Sequence, residues 1–252
     1  MKFIKVTDYS ADPQIKILHL NRPDVRNAFH PEMISELTTF FQSAAGDGEL
    51  KAIIVRGEGS AFCAGADLNW MKSMVNFSKE ENLEDSKKLW AMFESIQNCP
   101  VPVVAVAHGS VFGGALGILT ACDYVFAEAN TQLCFSEVKL GLAPAVISGF
   151  ITRKIQDAFV RPLMLSAEVF KAENAREIGL VHKVYSGSVS DAEVVKMFSG
   201  NGFQAMRETK KLLNQLLSTA DMTARRALCA AVITERRMSE EGQARLKAFL
   251  NK

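Results

Sequence analysis

The chain has 252 residues, 48% of them hydrophobic, and 29 Lys and Arg against 28 Asp and Glu leave a net charge of +1. That length suffices for one large domain with its own core, or for a domain with a helical appendage. The near-neutral balance lacks the basic field that nucleic-acid binding leaves. Five cysteines, an odd number with no CxxC pair, argue against a disulfide framework or a zinc site and fit a reducing, cytoplasmic compartment.

The first five residues are broken by charge and carry no apolar signal-peptide run. Residues 15–20 (IKILHL) predict a strand, and Asn21-Arg22-Pro23-Asp24 a polar turn. Residues 31–43 have helical spacing, with Met33, Leu37, Phe40 and Phe41 on one face. Residues 52–56 predict a short apolar strand and residues 57–65 a loop, after which Asp67-Leu68-Asn69-Trp70-Met71 opens a helix. Residues 72–88 are heavily charged and predict an exposed or mobile segment, followed by a helix through Leu89, Phe93 and Ile96. Residues 101–107 predict a buried strand, and Gly113-Gly114 leads into a helix ending near Ala121.

Residues 100–126 taken together are almost uncharged and long enough to span a bilayer. Pro100, Pro102, His108, Asp123 and the glycines between 109 and 117 break that run into strand, loop, buried helix and strand, so no membrane span is expected. Two further strands are predicted at residues 124–127 and 132–135, and the pattern turns helical over residues 156–179. Two amphipathic helices close the chain at residues 203–217 and 222–236. The first carries Phe203, Met206, Leu213, Leu216 and Leu217, too apolar a face to leave in water. Nothing resembles a linker before residues 186–190, which divides the chain into a core (1–190) and a helical oligomerisation region (191–252).

The start of the loop at residues 57–62 imitates a dinucleotide fingerprint, but its third glycine is missing and the next helix begins late. His19, His30, His108 and His182 are scattered and read as structural rather than as metal ligands. Two other loops are more informative: Phe62-Cys63-Ala64-Gly65-Ala66-Asp67-Leu68 and Gly109-Ser110-Val111-Phe112-Gly113-Gly114-Ala115-Leu116-Gly117. Each follows a buried strand and runs into a helix N-terminus, where free N–H groups favour negative charge and small residues let a ligand approach. Tight strand–helix packing with Asp67 as an N-cap accounts for either loop alone. Two such loops converging on one oxygen would form an oxyanion hole.

These segments resemble the crotonase (enoyl-CoA hydratase/isomerase) superfamily. The likeness rests on Asn21-Arg22-Pro23 with Asn27-Ala28, the two glycine loops, Ala121-Cys122-Asp123, Ser136-Glu137-Val138-Lys139-Leu140-Gly141-Leu142, and Ala175 with Gly179-Leu180-Val181. The resemblance implies an α/β fold, a crotonase-type spiral of β-β-α turns with a C-terminal helical trimerisation region. It also implies an acyl-CoA substrate with no separate cofactor, and a homotrimer or dimer of trimers. It carries the oxyanion-hole amides onto Ala66 and Gly114 and the catalytic carboxylate onto Glu137. Ala64, Asp67, Leu68, Trp70, Gly113 and Gly117 then become candidate substrate-binding residues.

The family's hydratases commonly place a first glutamate where this chain has Gly117. One carboxylate suits relocation of a proton and favours a Δ3,Δ2-enoyl-CoA isomerase. Against this, Asp67-Leu68-Asn69-Trp70-Met71, Ser136-Glu137-Val138-Lys139-Leu140-Gly141, Ala143-Pro144-Ala145-Val146-Ile147-Ser148 and Ser239-Glu240-Glu241-Gly242-Gln243 are similar to methylglutaconyl-CoA hydratases, which favours hydration. The apolar flank of Glu137 predicts a raised pKa. Trp70, Met71, Met74 and Phe77 fit an acyl pocket or a helix core equally. Phe249 and Lys252 match a tail that reaches toward CoA in the family. A non-catalytic acyl-CoA-binding or RNA-binding role is disfavoured by the intact Glu137 and by the lack of an Arg/Lys stripe.

Overall fold

The structure is a computed structural model and describes residues 1–251. Its centre is a six-stranded sheet built from β1 (Ile4–Tyr9), β2 (Asp12–Leu20), β3 (Ala52–Gly57), β4 (Val103–Ala107), β6 (Tyr124–Glu128) and β9 (Lys183–Tyr185), in the order β1-β2-β3-β4-β6-β9. Only the β1–β2 pair is antiparallel; the pairs from β2 onward are parallel. A parallel sheet is covered on both faces, and the sequence complies: β4 (VVAVA) is buried at every residue and β3 at its first four.

A second, smaller layer contains β5 (Ser110–Phe112), β7 (Gln132–Cys134) and β8 (Phe170–Lys171) in the order β5-β7-β8. Isolated parallel bridges Phe29–Ala66 and Cys63–Val111 extend this layer toward the N-terminus. The chain therefore passes from a large-sheet strand to a small-layer strand and then to a helix, turn after turn. After β2 comes α1 (Pro31–Ala45); after β3 come α2 (Leu68–Met74) and α3 (Lys79–Gln97); after β4 and β5 comes α4 (Ala115–Ala121); after β6 and β7 comes α5 (Ala145–Ile151). This is the expected spiral of β-β-α turns.

The main core joins the sheet to α1, α3, α4 and α5 through Phe41, Phe62, Phe93, Leu116, Phe135 and their neighbours. A smaller cluster, including Ile54, Val104, Phe126 and Val194, covers the other face with α8 (Asp191–Val195). The chain ends in α9 (Phe203–Ser218), α10 (Met222–Met238) and α11 (Glu240–Leu250). Lys210 on α9 ties this region to the sheet: its ammonium donates to Val101 O at 3.0 Å and to Asp123 Oδ2 at 2.6 Å.

Two expectations need correction, and one strand, β1, carried no expectation. Residues 72–88 are largely exposed, but they are helical from Lys79 onward, because Ser78 and Glu81 form a reciprocal capping box that starts α3. Residues 156–179 are not continuously helical: β8 separates α6 (Asp157–Ser166) from α7 (Ala172–Glu177). The N-terminal residues, where charge hides the alternation, form β1, held down by Glu36, which accepts the amides of Lys2, Phe3 and Ile4. Among the described residues no helix is long and apolar enough to cross a membrane, and no group of three His, Cys, Asp or Glu is placed to hold a metal.

Candidate active site

The two glycine loops lie side by side. Cys63 N donates to Ser110 O at 3.2 Å and Phe112 N to Cys63 O at 3.3 Å, which zips the loops together along the Cys63–Val111 bridge. Gly65 has φ +99, and a Cβ there would lie 2.7 Å from the Phe112 carbonyl oxygen, so only glycine lets the loops approach this closely. Phe29 links their tips. Its backbone brackets Ala66, donating to Gly65 O and accepting from Asp67 N, each at 2.9 Å. Its ring lies 2.8 Å from where a Cβ on Gly114 would stand. Among the described residues neither the Ala66 nor the Gly114 N–H donates a hydrogen bond to the protein. Two free amides on neighbouring loops form a pair of donors for an oxygen that gains negative charge.

The carboxylate comes from the next turn of the spiral. β7 ends beside the second loop, with Gly113 N donating to Cys134 O at 2.8 Å, and a short 3-10 turn, Glu137–Leu140, follows. A Cβ on Gly113 would stand 3.5 Å from Glu137 Oε1, so the carboxylate flanks the Gly113-Gly114 turn. Oε2 is buried and has no hydrogen-bond partner. Burial pushes the Glu137 carboxyl above its usual range, as its apolar flank predicts, against a hydrogen bond from its own backbone. A half-buried carboxylate with a raised pKa, one oxygen of it buried and unpartnered, beside two free amides is a candidate proton-transfer base.

The other candidates fall in different places. Ala64 supports the first loop, donating its N–H to Arg26 O at 2.9 Å. Asp67 caps α2, accepting from the amides of Asn69 and Trp70, and pairs with Arg22 at 2.8 Å. Burial acts against its ionisation, yet Arg22 and those two amides hold its carboxyl below the usual range. Asp67→Ala should cost about 1 kcal/mol of stability, readable as a lower denaturant midpoint. The Asp67 contribution is present above the ordinary aspartate pKa and is lost as the pH falls through its lowered value. Leu68 is 73% exposed, whereas Trp70 is buried against Phe29, ring centroids 6.2 Å apart. Phe249 is exposed on α11, Lys252 lies outside the described residues, and a cleft of about 650 Å³ beside Arg236, Arg237 and Arg245 shares no lining residue with Glu137.

Gly117 does not open onto the site. It is buried in α4, and a Cβ there would stand 2.4 Å from Phe93 Cζ; the Phe93 ring, itself fully buried, fills that space. The position is a contact between α3 and α4 rather than a substrate contact. Gly117→Glu is therefore expected to cost about 1–3 kcal/mol by overpacking. Phe93→Ala in the same chain should relieve that strain, and denaturant midpoints of the single and double variants check it.

Asn27 was not among the candidates, although its motif was visible. It is fully buried at φ +55, a conformation asparagine tolerates. Its side chain donates to Glu58 O and Ala61 O, both at 2.8 Å, and accepts from Arg22 N, which fixes the base of the first loop.

A mainly parallel β-β-α spiral that gathers free loop amides and one half-buried carboxylate defines the crotonase class of α/β proteins. Comparison with known proteins is specific: the profile of the family "Enoyl-CoA hydratase/isomerase" matches residues 11–251, and the chain belongs to that family. An enoyl-CoA hydratase of Alternaria alternata is 34% identical over 191 residues, 74% of this chain and 59% of that protein. The mitochondrial Delta(3,5)-Delta(2,4)-dienoyl-CoA isomerase of Mus musculus is 32% identical over 197 residues, 72% of this chain and 58% of the relative. The chain thus spans under two thirds of the length of both relatives. The crystal structure of an enoyl-CoA hydratase from Shewanella pealeana superposes with a TM-score of 0.88 at 32% identity, covering 99% of this chain and 93% of the other.

Proposed function

We propose that the protein hydrates an α,β-unsaturated acyl-CoA reversibly. The Ala66 and Gly114 amides hold the thioester oxygen, and Glu137 orients the water and moves the proton at Cα. The observation that carries this reading is the buried, unpartnered Oε2 of Glu137 beside the Gly113-Gly114 turn. With Phe93 filling the space at Gly117, no second carboxylate from that position grips the water. A substrate bearing its own carboxylate can supply that second grip, which fits a 3-methylglutaconyl thioester. The enzyme needs no separate cofactor, since CoA arrives with the substrate.

The test is turnover on matched 2-enoyl, 3-enoyl and 3-methylglutaconyl thioesters, with water addition followed by loss of enoyl absorbance. Conversion of 3-enoyl to 2-enoyl thioesters without hydration would establish the second reading, a Δ3,Δ2-enoyl-CoA isomerase. The single carboxylate favours that reading, because one base both removes and returns a proton. On either reading, kcat/KM should rise with pH through a limb set by Glu137, which must be ionised to act. Because burial raises that pKa, the midpoint should lie above the ordinary glutamate value of about 4.3. A limb at or below that value would remove Glu137 as the base.

The same proposal places the chain in a homotrimer or dimer of trimers in a reducing, cytoplasmic compartment, without nucleic acid. Supporting the assembly, α10 and α11 bury no residue in the single chain, and Ile233, Met238, Leu246 and Leu250 stand exposed. Light scattering at micromolar concentration should give at least three times the chain mass, and a stable monomer would refute it.

A further inference from the structure

The oxyanion donor on the first loop is held only from its sides. Among the described residues the Ala66 N–H donates to no protein acceptor, so its direction is set by its neighbours. Gly65 O accepts from Phe29 N, and Asp67 N donates to Phe29 O, each at 2.9 Å. These two bonds make the Phe29–Ala66 bridge, which stands outside the named strands and is not continued by a longer ladder. A donor acts on a developing charge only if it keeps its direction to within small displacements, so this short pairing needs a brace.

Arg22 supplies one. Its guanidinium reaches both sides of the bridge at once: Nη1 donates to Ala28 O, next to Phe29, and Nη2 donates to Asp67 Oδ2 at 2.8 Å, next to Ala66. The arm is itself anchored at the backbone. Arg22 N donates to Asn27 Oδ1 and Arg22 O accepts from Asn27 N, both at 2.8 Å, and Asn27 is fully buried. The guanidinium carbon lies 5.7 Å from the centre of the Phe3 ring, and the Arg22 and Asp67 side chains are only 17% and 9% exposed. An ion pair so shielded differs from the exposed pairs that contribute little. Through its other oxygen Asp67 accepts from the amides of Asn69 and Trp70, so the brace continues into the start of α2. A planar guanidinium donates in two fixed directions together, which the point charge of a lysine does not.

We propose that Arg22 is a positioning residue for the oxyanion hole: its guanidinium clamps the Ala28 carbonyl to the Asp67 carboxylate and thereby aims the Ala66 N–H at the thioester oxygen. This rests on the reading of Ala66 as an oxyanion donor and adds the residue that makes it one. Arg22 touches no reacting atom; it acts through the loop.

The experiment is isothermal titration with butyryl-CoA and with S-butyl-CoA, in which a methylene replaces the carbonyl. Neither has a double bond to hydrate, so both bind without reacting. The ratio of the two affinities reads what the oxygen gains from the amides, apart from everything the rest of the pocket contributes. With two donors in place, the intact protein should prefer the thioester by about 10-fold. Arg22→Met should lower that preference to about 3-fold, as misdirecting one of two donors implies, with the affinity for S-butyl-CoA unchanged. Arg22→Met leaves Asp67 a shielded charge without its partner and can unfold the chain. Arg22→Met combined with Asp67→Asn removes that charge and keeps a good cap for α2, and it should show the same lowered ratio. A folded variant that keeps the wild-type ratio overturns the proposal. So does an equal loss of affinity for both ligands, which makes Arg22 a support of the pocket as a whole. Absence of any thioester preference in the intact protein overturns the oxyanion reading itself, a distinguishable result.

Discussion

Glu137→Gln is expected to leave acyl-CoA binding intact and to lower turnover by roughly 10²–10⁴-fold. Gln keeps the length and planarity of Glu but cannot take up the proton at Cα. The buried Oε2 has no protein partner, so the substitution breaks no protein hydrogen bond at that atom. Nearby, Gly113 N remains bonded to Cys134 O, and the 3-10 turn keeps its Gly141 cap. A loss of rate is therefore separable from a loss of fold: thermal melting should be little changed while kcat falls and acyl-CoA affinity holds. The acid limb of kcat/KM should vanish with the activity. Wild-type rates from a folded Gln variant would remove Glu137 from the chemistry.

The parts of this site that are local in sequence could be read from it. Gly65 and the Gly113-Gly114 pair each follow a buried strand, and strand, loop and helix onset all leave local signatures in the same short stretch. The Asp67 cap and the apolar flank of Glu137 are equally local, and the structure bears out both. The first half of α3 was obscured by its charges, although the Ser78 and Glu81 box that starts it is a sequence signal. What could not be read depends on how separate elements approach. Nothing around Gly117 indicates that Phe93 from α3 fills its notch, and nothing around Trp70 indicates that its ring packs against Phe29. β8 is two residues long, too short for any periodicity to register.

Gly114→Pro is the second change with a large expected effect, because the structure separates its two consequences. The Gly114 backbone already has φ −53, which proline adopts without strain, and its N–H donates to no protein acceptor, so no internal hydrogen bond is lost. What proline removes is the donor itself, and losing one oxyanion donor typically costs about 10²–10³ in kcat. Proline also adds a Cβ, which would stand 2.8 Å from the Phe29 ring, and it disfavours the left-handed conformation of Gly113 at φ +53. Gly114→Ala is the matched control, since it introduces the same Cβ and keeps the N–H. If the amide polarises the thioester oxygen, the alanine variant should lose far less kcat than the proline variant at comparable melting temperatures. Equal losses in the two would assign the whole effect to displacement of Phe29 and leave Gly114 a packing residue.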